Sequence, residues 1–423
     1  MSCEHPSSER PLCVDYVTMA FPHPSEPFAG SDARALTDLG VRLRVHSLRP
    51  QHPLASNLVE SWRLQRVIMT HNSLRASLSG LWHLVKRPRL IKTAAGLLMK
   101  TATRPRHWIR TCALLPRALD ILAAIETERP DVVHAFWGHY PTLVTTLVQQ
   151  HAPTIATSVF LGAYDMEERY PLTREAISRS DFAWTHACAN RAALIAAGAR
   201  AERVAVTYRG IDMTRLPSPG AKTPGSIVTV GRLIPSKGFD LVIKAFHGVL
   251  EAHPNASLTI IGDGAERAGL ERMCRSLGIA DSVKFLGRVH HRVVLEELNS
   301  AEIMVFLSHK TSERLPNAVK EAMACRCYCV VSDTPGITEM IPDASCGLVV
   351  DQDDPITIAS RICAALDDPA MRERVGNAAR RFIQDHFDTS ETMKRYVRAW
   401  SRAPSFQDGS PPAAEVGTGA STE

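Results

Sequence analysis

Ile227-Val228-Thr229-Val230-Gly231-Arg232-Leu233-Ile234-Pro235-Ser236-Lys237-Gly238-Phe239-Asp240 passes from an apolar, β-branched run into a loop carrying glycine, proline and two cations. Such a run, closed by turn formers, reads as a strand buried on both faces, the usual state of a strand in a parallel sheet. Open parallel sheets take ligands just beyond the carboxyl ends of their strands. Arg232 and Lys237 therefore stand where a diphosphate would lie, one as a bidentate fork and the other as a point charge. Taken alone, the pair reads first as solvated loop residues.

Working outward, the same alternation recurs on both sides. Downstream, Leu258 to Ile261, Val283 to Leu286, Ile303 to Leu307 and Cys329 to Ser332 read as strands separated by helical patterns. Upstream, Cys13 to Met19 is a first strand, followed by a Pro-rich loop, a helix near Asp32 to Leu39 and a strand over Val41 to Ser47. Asp131-Val132-Val133-His134-Ala135, Thr154 to Phe160, Phe182 to Thr185 and Val204 to Thr207 continue the series. Strands alternating with helices predict an α/β fold with parallel sheets covered on both faces. The 423 residues exceed one hydrophobic core and suggest two domains. The turn formers of 217–225 mark a linker. The expected division is an N-terminal domain over 10–216, a C-terminal domain over 226–386, a helix over 387–402 crossing back to the first domain, and a disordered tail over 403–423.

Composition excludes little. Net charge is +5, from 49 basic and 44 acidic residues, too small to require a polyanion. Neither a signal peptide nor a spanning helix fits the N-terminus, so a cytoplasmic location is expected, with the ten cysteines as reduced thiols. Cys325, Cys327 and Cys329 alternate, which would set three sulfurs on one face of a strand; a metal site is the other reading. Between Glu60 and Asp120 there is no acidic residue, while Arg63, Arg66, Arg75, Lys86, Arg87, Arg89, Lys92, Lys100, Arg104, Arg106, Arg110 and Arg117 lie there. Trp62, Trp82, Trp108, Leu84, Leu90, Ile91, Leu97 and Leu98 are interleaved with them. Over 61–118 this describes amphipathic helices, either packed with a solvated basic face or lying on an anionic membrane such as the inner face of the plasma membrane. No nucleic-acid module accompanies the bases, and no nucleic-acid partner is expected.

A second constellation follows Ile303 to Leu307: Ser312-Glu313-Arg314-Leu315-Pro316-Asn317-Ala318-Val319-Lys320-Glu321-Ala322. Pro316 suits the first helical position, which would leave Glu313 in the loop and Glu321 inside the helix. The N–H groups of Asn317, Ala318 and Val319, with the helix dipole behind them, would then form a phosphate site. Glu313 would reach sugar hydroxyls, and Glu321 a ribose diol.

Gly231-Arg232-Leu233 with Lys237-Gly238 and the spaced glutamates resembles retaining glycosyltransferase family 4. Tyr208-Arg209-Gly210-Ile211-Asp212, Ile261-Gly262-Asp263-Gly264 and Thr334-Pro335-Gly336-Ile337-Thr338-Glu339 match its landmarks in order over nearly the whole chain. The resemblance implies the GT-B architecture, two facing Rossmann-like domains with an interdomain cleft. It implies transfer from a nucleotide-diphosphate sugar with retention of configuration, and no cofactor or metal, so that activity persists in chelator. Arg232, Lys237 and Glu313 would be catalytic. Glu321, Leu315, Asn317 and Ala318 would bind substrate, and the backbone around Arg288 and Val289 would frame the base. Variants of this kind resemble enzymes of bacterial exopolysaccharide and lipopolysaccharide synthesis, implying a lipid-linked or glycan acceptor.

The N-terminal half departs from the pattern. In Phe160-Leu161-Gly162-Ala163-Tyr164-Asp165 Leu161 occupies the place of the family histidine, with His139 or His134 as substitutes. The loop after the first strand offers only Gly30 for close approach to phosphate. Gly262-Asp263-Gly264 lacks the third glycine of a dinucleotide fingerprint and reads as a tight turn. Asp351-Gln352-Asp353 reads as a helix cap rather than a metal site. A nucleotide-sugar epimerase, or a binding module without turnover, remains the alternative function.

Overall fold

The computed structural model describes residues 10–24, 26–310, 313–351 and 354–403; beyond its first residue, the expected disordered tail falls outside them. The chain divides into two units. Unit 1 holds the residues up to His186, Asn190–Thr207 and the segment from Ser390; unit 2 holds Ala187–Ala189 and Tyr208–Thr389.

Unit 1 is built on β1 (Cys13–Thr18), β2 (Arg42–Ser47), β3 (Ile68–Thr70), β4 (Val132–Ala135), β5 (Ala156–Phe160), β6 (Phe182–Thr185) and β7 (Val204–Val206), in the order β3-β2-β1-β4-β5-β6-β7. Every pairing is parallel. Tyr16 pairs with Val45 on one side and His134 on the other, and all of β1 and β4 is buried. Strand order reverses between β1 and β4, the topological switch point of a Rossmann-like sheet. The first helix, Pro27–Asp38, begins earlier than the sequence suggested because Pro27 opens it, its missing N–H being one that has no helical partner anyway.

Unit 2 repeats the plan with β8 (Ser226–Val230), β9 (Ser257–Ile261), β10 (Val283–Gly287), β11 (Ile303–Phe306), β12 (Tyr328–Ser332) and β13 (Leu348–Val350), in the order β10-β9-β8-β11-β12-β13. Its strands too are all parallel, and its switch point lies between β8 and β11.

The structure moves one boundary. Residues 217–225, expected as a linker, belong to unit 2, where Thr223 N–H donates to the Ser300 carbonyl at 2.8 Å and Lys222 Nζ to the Cys325 carbonyl at 2.8 Å. Unit 2 begins at Tyr208 because Ile211 bridges to Asp388, with Gly210 so close that a Cβ there would meet Thr389 N at 2.3 Å. The helix Thr389–Trp400 ends in unit 1. Trp400 and Trp184 both donate their indole N–H to Ser158 Oγ, at 3.1 and 2.9 Å, and Tyr396 stacks on Trp184 with ring centroids 4.0 Å apart.

The cysteine triplet is corrected in part. Only Cys329 lies in a strand; Cys325 caps the preceding helix, and Arg326 between them has φ 63°, a left-handed turn that breaks the alternation. All three sulfurs nevertheless enter the same core. Burial pushes the Cys325 thiol up to about 12 and raises Cys327 and Cys329 as well. Among the described residues no helix is long and apolar enough to cross a membrane.

Candidate active site

In unit 2 the loops leaving β8 and β11 are fastened to each other. Gly238 has φ 63°, and a Cβ there would sit 2.0 Å from the Leu307 carbonyl oxygen. His309 N–H and Ser308 Oγ both donate to the Ser236 carbonyl, at 3.0 and 3.1 Å. The fastening brings Lys237 against Glu313 in an ion pair between residues 76 positions apart in sequence. Lys237 Nζ also lies 5.2 Å from the centroid of the Phe306 ring, and Glu313 N–H donates to the Lys310 carbonyl at 2.9 Å. Both side chains of the pair are largely shielded from water, so the attraction is screened less than at an open surface. An arriving phosphate would compete with Glu313 for the ammonium, freeing the carboxylate to accept hydroxyl donors.

Arg232 projects into solvent from the turn between Gly231 and Leu233. That turn is held by the loop after β9: Gly231 N–H donates to Ile261 and Leu233 N–H to Asp263, each at 3.0 Å. A Cβ on Gly262, at φ 137°, would lie 1.8 Å from the Gly231 carbonyl oxygen, and one on Gly264 2.3 Å from that of Leu233. These glycines let two backbones touch and so fix where Arg232 leaves the chain.

The helix after the paired loops is Asn317–Ala324. Pro316 has ψ 129° and precedes the helix instead of opening it; its carbonyl accepts Val319 N–H at 3.1 Å and Lys320 N–H at 3.2 Å. Of the three amides expected at a phosphate site, Val319 is thus engaged within the helix, whereas those of Asn317 and Ala318 precede the first helical bond. Leu315 is buried in the core and anchors the loop from below. Glu321 Oε1 lies 2.9 Å from His291 Nε2. Arg288 is exposed and Val289 half-buried just after β10.

Two residues here had no distinguishing signal in the sequence. Lys320 beside Glu321 reads as a solvated helical cation, yet it is buried, with Nζ donating to the Arg209 carbonyl at 2.9 Å and Asn317 Oδ1 at 3.0 Å. It orients the first side chain of the helix. His291 is the other, since nothing in its spacing announces Glu321 as a partner.

In unit 1 the switch point opens into a cavity of about 340 Å³ lined by His23, Arg49, Arg110, Trp137, His139 and Tyr164 among others. Burial, His52 and Arg49 lower the pKa of His23. His139 Nδ1 lies 2.7 Å from Asp165 Oδ1, and the other oxygen of this buried carboxylate accepts Gly162 N–H at 2.8 Å. The contact with Asp165 fixes the orientation of the imidazole ring through Nδ1 and turns Nε2 away from that carboxylate. Leu161 is fully buried, filling the space left by Gly138, where a Cβ would come within 2.6 Å of its Cγ. His134 is structural. Ser158 Oγ already accepts from two indoles, so its one proton goes to His134 Nδ1 at 2.8 Å.

Gly30 is not in a loop. It lies within the helix Pro27–Asp38, where a Cβ would meet Trp62 Cε3 at 2.3 Å; the missing side chain admits an indole, and nothing in its placement is specific to phosphate. Asp354, rather than the triplet before it, caps the helix Pro355–Asp367 by accepting Ile356 N–H at 3.0 Å. Gln352 and Asp353 lie outside the described residues.

Residues 215–382 match the family model described as Glycosyl transferases group 1. This stretch is similar to a glycosyl transferases group 1 domain. It contains Arg232, Lys237, Glu313 and Glu321, the four residues whose charged side chains were assigned from the sequence to the donor side. The chain is 33% identical over 177 residues to an uncharacterized glycosyltransferase of Methanocaldococcus jannaschii, covering 42% of this chain and 45% of that protein. It is 32% identical over 158 residues to a GDP-mannose-dependent monoacylated alpha-(1-6)-phosphatidylinositol monomannoside mannosyltransferase of Corynebacterium glutamicum, covering 36% and 41%. The chain thus spans less than half the length of these curated relatives. Among solved structures, Anabaena Alr3699/HepE in complex with UDP superposes with a TM-score of 0.70 at 16% identity, covering 92% of this chain and 99% of that one. At that identity the likeness speaks for the fold, and it extends well beyond that stretch into unit 1.

Proposed function

We propose that this protein transfers a sugar from a nucleotide-diphosphate sugar to a lipid-linked or polysaccharide acceptor, with retention of anomeric configuration, in the synthesis of a bacterial exopolysaccharide, lipopolysaccharide or other cell-envelope glycan. The meeting of Lys237 and Glu313 at the β8/β11 switch point carries the reading. A cation and a carboxylate held together where a parallel sheet receives its ligand suit a substrate that is a diphosphate at one end and a polyol at the other.

Arg232, Lys237 and the amides of Asn317 and Ala318 take the diphosphate. As the bond from the anomeric carbon to the diphosphate oxygen breaks, the electron pair goes to that oxygen, and these donors stabilise the growing charge without reorganising. Glu313 holds the sugar close to the reacting carbon, Glu321 with His291 receives the ribose, and the backbone at Arg288 and Val289 frames the base. In unit 1, His139 oriented by Asp165 supplies a substrate contact that Leu161 does not. The acceptor hydroxyl attacks the face from which the diphosphate leaves, its oxygen bonding to the anomeric carbon while its proton passes to the departing diphosphate oxygen. Names among the relatives support a nucleotide-sugar donor, and one of them specifies a phosphatidylinositol-linked acceptor. On this reading the reaction runs in the cytoplasm, at the inner face of the plasma membrane.

A panel of UDP- and GDP-sugars with lipid-linked and oligosaccharide acceptors tests the reading. Glu313→Ala, Lys237→Ala and Arg232→Ala should each lower kcat/KM by roughly 10- to 1,000-fold. Unchanged kinetics in all three would defeat the assignment, and an epimerised sugar formed without any acceptor would replace the transferase by an epimerase.

A further inference from the structure

The helix Leu74–Lys86 buries a single residue, Gly80. A Cβ at Gly80 would fall 1.7 Å from the Pro116 carbonyl oxygen, so the helix lies backbone-on against the helix Pro105–Glu128. Its start is fixed by Ser73 Oγ, which accepts Ala76 N–H at 3.1 Å. Leu84 packs against the core, but the other five large apolar side chains point elsewhere: Leu74 is 78% exposed, Leu78 57%, Leu81 45%, Trp82 57% and Val85 77%. At 3.6 residues per turn these five fall within an arc of about 100°, opposite Gly80.

An ordered helix that turns its apolar stripe outward reverses the usual burial, and a contiguous exposed patch of this kind marks an interaction surface. Its charge says which. Arg75 and Lys86 flank the stripe, with Lys86 Nζ 5.3 Å from the centroid of the Trp82 ring, and Arg89 and Lys92 follow, all four exposed. No acidic residue occurs between Glu60 and Asp120. A second copy of the chain meeting this face about a two-fold axis would set those cations against each other. Residues 1–9 and 404–423, outside the described structure, carry too few large apolar side chains to cover five: Met1, Phe406 and Val416 are the ones present.

We propose that the stripe Leu74, Leu78, Leu81, Trp82 and Val85 is a membrane-docking element. It enters the interface of an anionic bilayer while Arg75, Lys86, Arg89 and Lys92 contact the lipid phosphates. This sharpens the basic segment of the sequence to one helix and excludes part of it: Trp62, Leu90 and Leu97, three of its apolar residues, are buried in the cores of unit 1. The inference rests on the proposed lipid-linked acceptor only for its purpose, because lipid binding is measured with no sugar donor present.

The test is sedimentation of the full chain with vesicles of phosphatidylcholine alone or mixed with phosphatidylglycerol, at low and high salt. Binding should require the anionic lipid and weaken with salt. Leu78→Ser/Trp82→Ser/Val85→Ser, all at exposed positions, should weaken it at least about tenfold at every salt concentration, while sugar transfer to a soluble acceptor stays as in the parent. Arg75→Gln/Lys86→Gln/Arg89→Gln/Lys92→Gln should remove the preference for anionic lipid. Binding indifferent to lipid charge, or unchanged in the triple serine variant, would overturn the proposal. So would a dimer in sedimentation equilibrium that the same variant dissociates, which would make a second copy the occupant. Loss of transfer with intact vesicle binding would refute the transferase and leave the docking element standing.

Discussion

The two units share the order of their first six strands and differ at the switch point. In unit 2 the loops leaving β8 and β11 are drawn together through Gly238 and the Ser236 carbonyl until Lys237 and Glu313 pair. In unit 1 the loops leaving β1 and β4 line a cavity with aromatic residues, one of whose lining side chains, His139, pairs with Asp165 at 2.7 Å. A common topology supplies the location of a ligand site, while the approach of two loops decides whether it grips a compact anion or admits a larger, mixed surface.

The largest effect is expected where unit 2 is tightest. Gly238→Ala adds a Cβ at a left-handed φ, against a backbone oxygen that cannot swing away; donor binding should be lost and unfolding become easier by about 2–4 kcal/mol. The matched change in unit 1, Gly138→Ala, meets the Leu161 side chain, which can shift, so denaturant unfolding should register roughly 1–2 kcal/mol. If the two cost the same, the contrast between a rigid and a yielding switch point fails.

A smaller effect separates the units by chemistry. His139→Ala and Asp165→Asn should each lower kcat/KM by about 10- to 100-fold while leaving the dissociation constant for free nucleoside diphosphate within about twofold. Calorimetry showing that either variant loses the nucleotide would end the division of labour.

Four of the thiols report on unit 2. Cys188 is exposed and should react with a maleimide in the native protein, whereas Cys325, Cys327 and Cys329 should label only on unfolding. Because burial raises the folded thiol of Cys325 from 9.0 to about 12, its contribution to stability is whole below pH 9 and is lost as pH climbs toward 12. Cys325→Ala should flatten that alkaline decline in melting temperature. The smallest expected effect is none: millimolar chelator should leave transfer unchanged, since side-chain cations and helix amides serve the leaving diphosphate.

Much of this was legible beforehand. Burial on both faces leaves a β-branched run with little polar content, so β8, β9, β11 and β12 announced a parallel sheet by composition alone. The proposed donor residues could be picked out for a related reason: Lys237, Gly238, Glu313 and Glu321 are distinctive residue types at fixed separations beside strand ends, whatever surrounds them. The three-residue β13 was too short to carry a period. Lys320 and His291 were unreadable because each owes its role to a partner distant in sequence, the Arg209 carbonyl and the Glu321 carboxylate. Gly30 misled, since a glycine that admits an indole and one that admits a phosphate look alike in one dimension.

By itself the sequence determined the α/β class, the strand-ending loops and the residue types that could meet a nucleotide sugar, because local burial and turn chemistry are written in adjacent residues. Only the tertiary structure decided that Lys237 meets Glu313, that His139 and not His134 faces a cavity, and that the helix Leu74–Lys86 wears its apolar side outward. A helical period specifies that one face differs from the other; which face is covered depends on where a small residue such as Gly80 lets a second backbone approach.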